Sequence, residues 1–222
     1  MEEFVLPEVY VEASDRAGIA ALFDMSRPKL RLPNDPEIDE ARVAKRNAYQ
    51  YINIRNATGR NMINHNLCGQ FCIAALSGMN VIPLLKKWYA TGERPKAVLN
   101  GDRGTVVYDL EQMLKLLNMK SEIFKPEPSI APATPLYLEG MLKSGKKAII
   151  GVGINYKGEA SYNASIRHWL VVVDIVRMGN SGWVRVYNSF FNQEEVYPYQ
   201  RLFNTGNATG ICLWVDTPDY KP

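Results

Sequence analysis

A cysteine, a histidine and an asparagine follow one another along the chain in an order that can support acyl-transfer chemistry. Cys68 begins an apolar helical stretch, His168 opens a long apolar strand, and Asn188 ends the short strand that follows it. A thiol attacks a carbonyl as its thiolate, and the N-terminal end of a helix favours that anion. The side-chain oxygen of an asparagine can accept from a histidine ring N–H and so fix the ring's tautomer. These residue types in this order predict a nucleophile, a base and an orienting amide.

Each of the three residues also has a purely structural interpretation. A lone cysteine is often a small, buried and inert side chain, and an asparagine at the end of a strand is a common turn residue. Cys72, one helical turn after Cys68, lies among apolar neighbours and is interpreted as a packing residue. Only two histidines occur in the chain, so few residues can serve as the base. The combination favours chemistry more than any of its members does alone.

The elements that must position these residues can be predicted from apolar spacing and from capping residues. Gly78 stands where a C-cap glycine belongs, and Asp109 and Thr134 stand where helix N-caps belong. The predicted helices span residues 68–77, 81–90, 110–117 and 135–143, and the predicted strands span residues 147–153, 168–176, 183–188 and 210–215. Helices precede strands, which predicts an α+β fold in which N-terminal helices, including the nucleophile helix, pack on a C-terminal antiparallel sheet.

A turn over residues 178–182 separates the histidine strand from the strand that ends at Asn188. The two strands should therefore pair antiparallel and bring Asn188 within a residue or two of His168. Gly69, next to the nucleophile, is expected to leave room for a substrate. Residues 1–59 differ in character from the rest, with short apolar pieces and a basic, proline-containing stretch. They are interpreted as an N-terminal extension or subdomain, and residues 60–222 as the catalytic domain.

Four segments occur in a recognisable order: Cys68-Gly69, then residues 142–150 with a turn glycine, then His168-Trp-Leu-Val-Val-Val, then residues 184–188 ending in Asn188. This order resembles the papain-like cysteine peptidase clan, and in particular the C39-like peptidase domains, over roughly residues 60–217. The resemblance implies a papain-like fold and a cysteine peptidase that works through a thioester. It also implies that Cys68, His168 and Asn188 are the catalytic triad, that the substrate is a peptide or protein, and that no cofactor is needed.

The chain departs from that family at the side chain that would stabilise the oxyanion. The family's glutamine usually lies six residues before the nucleophile, where this chain has Met62. Asn61, Asn64 and Asn66 are the nearby amides that can substitute, and Asn64 is preferred among them. Losing such a donor altogether would lower the rate on the order of a hundredfold or more. The orienting residue is also Asn rather than the Asp of many C39-like members.

Two functions of other classes remain open from the sequence. His65, Cys68 and Cys72 lie on neighbouring turns, and His168 could complete a tetrahedral metal site, although no Cys-x-x-Cys pair is present. The second alternative is a non-catalytic binding or scaffold module on the same fold. Within the enzyme class, water as acceptor gives a peptidase or deamidase, and an amine gives an acyltransferase. Proteolysis is the preferred reaction because the C39-like group is mostly associated with it.

Composition and charge limit the classes of partner and the compartment that the sequence predicts. The net charge of +3 comes from mixed acidic and basic residues, which predicts no nucleic-acid partner. The longest apolar run, about residues 169–176, is too short to span a bilayer, and the first residues lack the apolar core of a signal peptide. Three cysteines without a disulfide-like spacing favour a reducing compartment. The sequence therefore predicts a cytoplasmic protein with no membrane partner and gives no oligomeric state.

Overall fold

The structure is a computed structural model that describes most of the chain from residue 67 onwards and short pieces before it. The described residues are 18–19, 22–23, 29–32, 52–53, 63–64, 67–99, 104–124, 134–155, 160, 166–189, 191–203 and 208–217. At residues 52–53, 63–64, 166 and 208–212 the description covers the backbone alone.

The helices lie mostly in the first part of the described chain. They are α1 (Cys68–Ser77), α2 (Val81–Tyr89), α3 (Glu93–Leu99), α4 (Val107–Leu116), α5 (Pro135–Lys143) and α6 (Tyr199–Phe203). Gly78 ends α1 with a φ of +64°, the left-handed conformation that favours glycine at this position, as the sequence predicts. The Thr134 hydroxyl accepts from the Tyr137 N–H at 3.2 Å and caps α5, also as predicted.

Antiparallel strands form the second layer. They are β1 (Ile52–Asn53), β2 (Ile63–Asn64), β3 (Ser121–Phe124), β4 (Lys146–Ile154), β5 (Ile166–Met178), β6 (Ser181–Asn188), β7 (Gln193–Pro198) and β8 (Ala208–Asp216). β1 and β2 pair with each other, and the other six form one sheet in the order β3-β8-β4-β5-β6-β7. The predicted α+β class is confirmed in this coarse form.

Several predicted boundaries are wrong. The helix predicted from residue 110 begins at Val107, and Asp109 lies within its first turn rather than at the cap. Its buried carboxylate accepts from the Val106 N–H at 2.8 Å and binds the Arg94 guanidinium at 2.7 and 2.9 Å. Six elements were not predicted at all: α3, α6, β1, β2, β3 and β7. They are short or rich in charged and polar residues, so apolar periodicity did not mark them.

The sheet is covered on both faces. On one face, α1, α2 and α4 pack against alternate residues of β4, β5, β6 and β8 in a core that we call the first core. On the other face, α5 and α6 pack against the intervening residues in the second core. Strands β4 and β5 are therefore apolar on both sides, which explains their continuous apolar sequence.

Three described residues of the N-terminal region, Phe23, Leu30 and Leu32, lie against this body. Leu32 belongs to the first core, and Phe23 is buried with its ring under the Arg185 guanidinium. The Leu30 N–H donates to Glu194 at 2.6 Å, and the Leu32 N–H donates to Asn192 at 2.9 Å. These contacts place residues 29–32 along the turn between β6 and β7. Most of the predicted 1–59 region lies outside the described residues.

Within the described ranges, no single helix has the length and hydropathy to cross a bilayer. By length and composition α1 and α2 would pass together, but they meet at a bend of 115°.

Candidate active site

Helix α1 carries Cys68 into the protein interior. Residues Gly69 to Ala75 are all buried, and all but Gln70 are apolar, so the position of the helix is set mainly by packing. No side chain caps its N-terminus at Leu67, which leaves the backbone N–H groups of the first turn available to nearby atoms. Cys68 is the first helical residue, where it was predicted to lie.

The environment of Cys68 opposes the thiolate. Burial raises the pKa of the Cys68 thiol to about 11, although the side chain keeps some solvent exposure. The backbone N–H groups of Trp169, Gly69 and Cys68 itself lower the pKa, but by less than burial raises it. The expectation that the helix N-terminus would favour the anion is therefore not met in this conformation, because desolvation of the charge outweighs the helix dipole.

The two thiols of α1 both reach the backbone of Trp169 in β5. The Trp169 N–H approaches Cys68, and the Cys72 thiol donates to the Trp169 carbonyl at 3.3 Å. Pairing of β5 with β6 extends only as far as Val171 opposite Tyr187, so the helix meets β5 beyond the end of that pairing. Cys72 is fully buried in the first core, and the interpretation of it as a packing residue agrees with that position.

His168 is the third residue of β5 rather than its first, and it pairs with Val152 of β4. Its side chain is only 3% exposed. One ring nitrogen, Nε2, lies 3.0 Å from the side-chain oxygen of Asn188. Burial lowers the pKa of His168 to about 4, against the raising effect of the Asn188 hydrogen bond. The ring is therefore neutral near pH 7, with a single hydrogen-bond partner among the described residues.

The sheet explains why His168 and Asn188 meet. A β5–β6 hairpin with Gly179 and Asn180 at its tip sets the register, and Gly179 has a φ of +62°. Side chains alternate along a strand, so His168 shares the second-core face with its partner Val152, and Asn188 shares that face with Val186. The prediction that the two strands bring these residues together is confirmed by the contact.

Asn188 makes a second side-chain contact, which was not predicted from the sequence. Its Nδ2 donates to Oε2 of Glu195 at 2.7 Å, and the Tyr197 hydroxyl donates to the same oxygen at 2.8 Å. Burial raises the pKa of Tyr197 far above its ordinary value, and the neighbouring Glu195 charge raises it further, so the phenol stays protonated. Glu195 and Tyr197 lie two residues apart on β7. Predicting that strand would have placed both on one face.

Gly69 does not leave room for a substrate. A Cβ at this position would lie 2.6 Å from Leu110, 3.0 Å from Thr105 and 3.3 Å from Trp169. The neighbouring Gln70 is completely buried and its amide exchanges hydrogen bonds with the Thr105 hydroxyl. The expectation for Gly69 is wrong: the space that its missing Cβ leaves is filled by the side chains of Leu110, Thr105 and Trp169, which would have to shift for a larger residue.

The side chains that were considered as donors to an oxyanion are not among those that the structure describes. Asn64 is placed by its backbone alone, opposite Ile52 in the β1–β2 pair, and Asn61, Met62, His65 and Asn66 are not among the described residues. Within the described part of the chain, no three His, Cys, Asp or Glu side chains gather as metal ligands would. His65, one of the three residues that His168 would complete into a metal site, is not included in this finding.

The structure brings the predicted residues only part of the way together. His168 and Asn188 are in direct contact, and Cys68 lies beside the peptide nitrogen that follows His168 in the chain. No hydrogen bond joins the Cys68 sulfur to the His168 ring; Cys68 approaches β5 with the first core, and His168 projects toward the second.

Comparison with known proteins adds no identity. No family model matches the chain, and no curated protein was found to be similar to it.

Proposed function

We propose that this protein is a cysteine peptidase, a thiol acyl-transfer hydrolase in which Cys68, His168 and Asn188 form the triad. The observation that carries the proposal is the buried 3.0 Å contact between His168 and Asn188, one residue along the strand from the peptide group that Cys68 touches. A neutral imidazole held at one nitrogen leaves its other nitrogen free to act as a base.

The reaction would proceed through a thioester. The Cys68 sulfur attacks the carbonyl carbon of a peptide bond while its proton passes to His168, and the oxyanion collapses as the amine leaves with that proton. Water then attacks the thioester, His168 takes a proton from it, and the acid is released with the thiol restored. Asn188 holds the ring in place throughout.

Proton transfer in this mechanism is coupled to attack. The raised pKa of Cys68 and the lowered pKa of His168 mean that the resting pair is a neutral thiol and a neutral imidazole. The resting site therefore does not hold a preformed thiolate–imidazolium ion pair. Catalytic hydrogen bonds in the absence of substrate are often long, and the proton would pass directly once substrate is bound or through one water.

The oxyanion would form close to the N-terminus of α1. The Cys68 and Gly69 N–H groups lie near the sulfur, and the helix dipole favours negative charge at this end. Asn64 is the proposed side-chain donor. The proposed reaction draws on no cofactor, and its substrate class is a peptide or protein.

A scaffold module on the same fold is the second candidate. It is favoured by the raised pKa of Cys68 and by the lack of a hydrogen bond from Cys68 to His168. In such a module Cys68 would be a packing residue like Cys72, and the contact between His168 and Asn188 would only stabilise the end of the sheet.

The two candidates differ in whether Cys68 can be acylated. The folded protein would be mixed with 4-nitrophenyl acetate, quenched in acid and digested, and the acetylated residue located by mass spectrometry. The peptidase predicts a transient acetyl group on Cys68, formed more slowly in His168→Ala, with Cys72 unmodified. Acetylation of Cys68 no faster than in the unfolded chain would overturn the peptidase and leave the scaffold. A pool of fluorogenic peptide amides would then test hydrolysis.

A further inference from the structure

A carboxylate lies directly behind the proposed orienting amide. We propose that Glu195 is a positioning residue that fixes, through Asn188, which ring nitrogen of His168 carries the proton. The tautomer follows from these contacts with Glu195 ionised, and its catalytic consequence rests on the peptidase proposed above.

Glu195 is the one group of this chain of contacts that can only accept hydrogen bonds. An ionised carboxylate has no hydrogen to donate, and Oε2 of Glu195 receives two short contacts, from Asn188 at 2.7 Å and from the Tyr197 hydroxyl at 2.8 Å. Asn188 must therefore turn its NH₂ group toward Glu195. Its carbonyl oxygen then faces the other way, toward His168. The orientation of an asparagine amide is otherwise ambiguous, because its oxygen and nitrogen have nearly the same shape.

The orientation of Asn188 in turn fixes the tautomer of His168. The Asn188 oxygen is also a pure acceptor, so Nε2 of His168, 3.0 Å away, must be the nitrogen that carries the hydrogen. A neutral imidazole has one N–H, which leaves the lone pair on Nδ1. Glu195 thereby makes Nδ1 the basic atom of the proposed triad, although it touches neither the ring nor the substrate.

Two matched variants, Glu195→Gln and the double variant Asn188→Asp, Glu195→Gln, change which groups between Glu195 and His168 can donate and which can accept. In Glu195→Gln the group behind Asn188 can either donate or accept, so this contact no longer selects one amide orientation and both His168 tautomers should be populated. In the double variant Asn188→Asp, Glu195→Gln, the new aspartate can only accept, from the glutamine on one side and from Nε2 on the other. That double variant should restore the single Nε2–H tautomer. Tyr197→Phe leaves the carboxylate facing Asn188 and should leave the tautomer unchanged.

The tautomer can be read directly by NMR of the full chain labelled with ¹⁵N-histidine. The chain has only two histidines, and the His168 signals are identified as those absent from His168→Gln. The proposal predicts Nε2–H alone in the wild type, a mixture in Glu195→Gln, and Nε2–H alone in the double variant. The proposal is overturned by a wild-type Nδ1–H tautomer, by a single unchanged tautomer in Glu195→Gln, or by a mixture in the double variant.

Activity gives a second, separate readout. Because only molecules with an unprotonated Nδ1 hold the base, kcat for a fluorogenic peptide amide should fall in Glu195→Gln by about twofold to tenfold, with KM unchanged, and recover in the double variant. If the tautomers behave as predicted while Cys68 is never acylated, the peptidase fails and the positioning role of Glu195 stands. If Cys68 is acylated and the tautomer ignores Glu195, the positioning role fails alone.

Discussion

The two sides of strand β5 are prepared to different degrees for the proposed reaction. On the second-core side, His168 is held by Asn188, which is held by Glu195, which is held by Tyr197, each through a contact of 2.7 to 3.0 Å. On the first-core side, the described groups that approach Cys68 are backbone N–H groups, and burial keeps its proton in place. Among the described residues, the base is thus preorganised by a side-chain network and the nucleophile by the end of a helix.

The difference has a physical origin. Side-chain hydrogen bonds fix direction and tautomer, so a base that must present one particular nitrogen needs such a network. A sulfur needs only to be close and to lose its proton at the moment of attack, so a packed helix end is sufficient to place it. Such a division predicts that the two sides respond differently to mutation and to pH.

The largest effect separates the two cysteines of α1. Cys68→Ala should lower peptide hydrolysis by at least about 10⁴-fold, because loss of a nucleophile removes the covalent route altogether. Cys72→Ala is the matched control, one turn along the same helix and with its thiol on the same Trp169 backbone. It should keep near wild-type kcat and lose about 1 kcal/mol of stability, as is typical of a small core truncation. Full activity in Cys68→Ala would show that Cys68 is not the nucleophile.

The next effect is on the pH dependence of kcat/KM, which reports the free enzyme. Since the pKa of His168 is lowered to about 4, the base stays unprotonated as pH falls from 7 to 5. We expect kcat/KM to hold over that range and to fall about tenfold per pH unit only below about pH 4. Alkylation of Cys68 by iodoacetamide should stay slow near neutral pH and quicken toward its pKa of about 11. An acid limb near pH 6 would instead indicate an exposed imidazole.

The lowered pKa of His168 also has a consequence for folding. The ordinary value is 6.5 and the folded value about 4, so between them the unfolded chain binds more protons than the folded one. Stability is therefore complete above about pH 6.5 and falls as pH decreases toward 4. At about 1.4 kcal/mol per pKa unit the loss is about 3 kcal/mol. Urea unfolding at several pH values should show this slope in the wild type and a flatter one in His168→Gln. Equal slopes would contradict the burial of a neutral ring.

Sequence predicted the second-core side better than the first-core side. The register of a tight hairpin is set locally, so the meeting of His168 and Asn188 followed from the turn at Gly179 and from alternation. The contact of Glu195 with Asn188 was not predicted because β7 is polar and carries no apolar alternation. The raised pKa of Cys68 was also not predicted, because the packing around its end of α1 involves Leu110 and Trp169, which are distant in sequence. Desolvation is a property of the packed fold, whereas the helix start is visible in the chain.

The smallest effect tests how tightly the nucleophile side is packed. Gly69→Ala puts a methyl group 2.6 Å from Leu110 and 3.0 Å from Thr105, so those side chains must shift. Overpacking of this kind costs about 1–3 kcal/mol, and it should also move Trp169 and with it the strand beside Cys68. We therefore expect a lower melting temperature, together with an altered rate of Cys68 alkylation, measured by thermal unfolding and by iodoacetamide labelling.

Gly140→Ala is the matched control, because the same methyl group is added to α5 on the opposite face of the sheet. Gly140 is exposed, its φ is not positive and a Cβ there would meet nothing within 4 Å, so alanine should stabilise the helix by about 0.5–1 kcal/mol. Its distance from Cys68 should leave the alkylation rate unchanged. If both glycines accept alanine equally well, the helix end that carries Cys68 is loosely packed. The raised pKa of its thiol would then lack the close packing that desolvation requires.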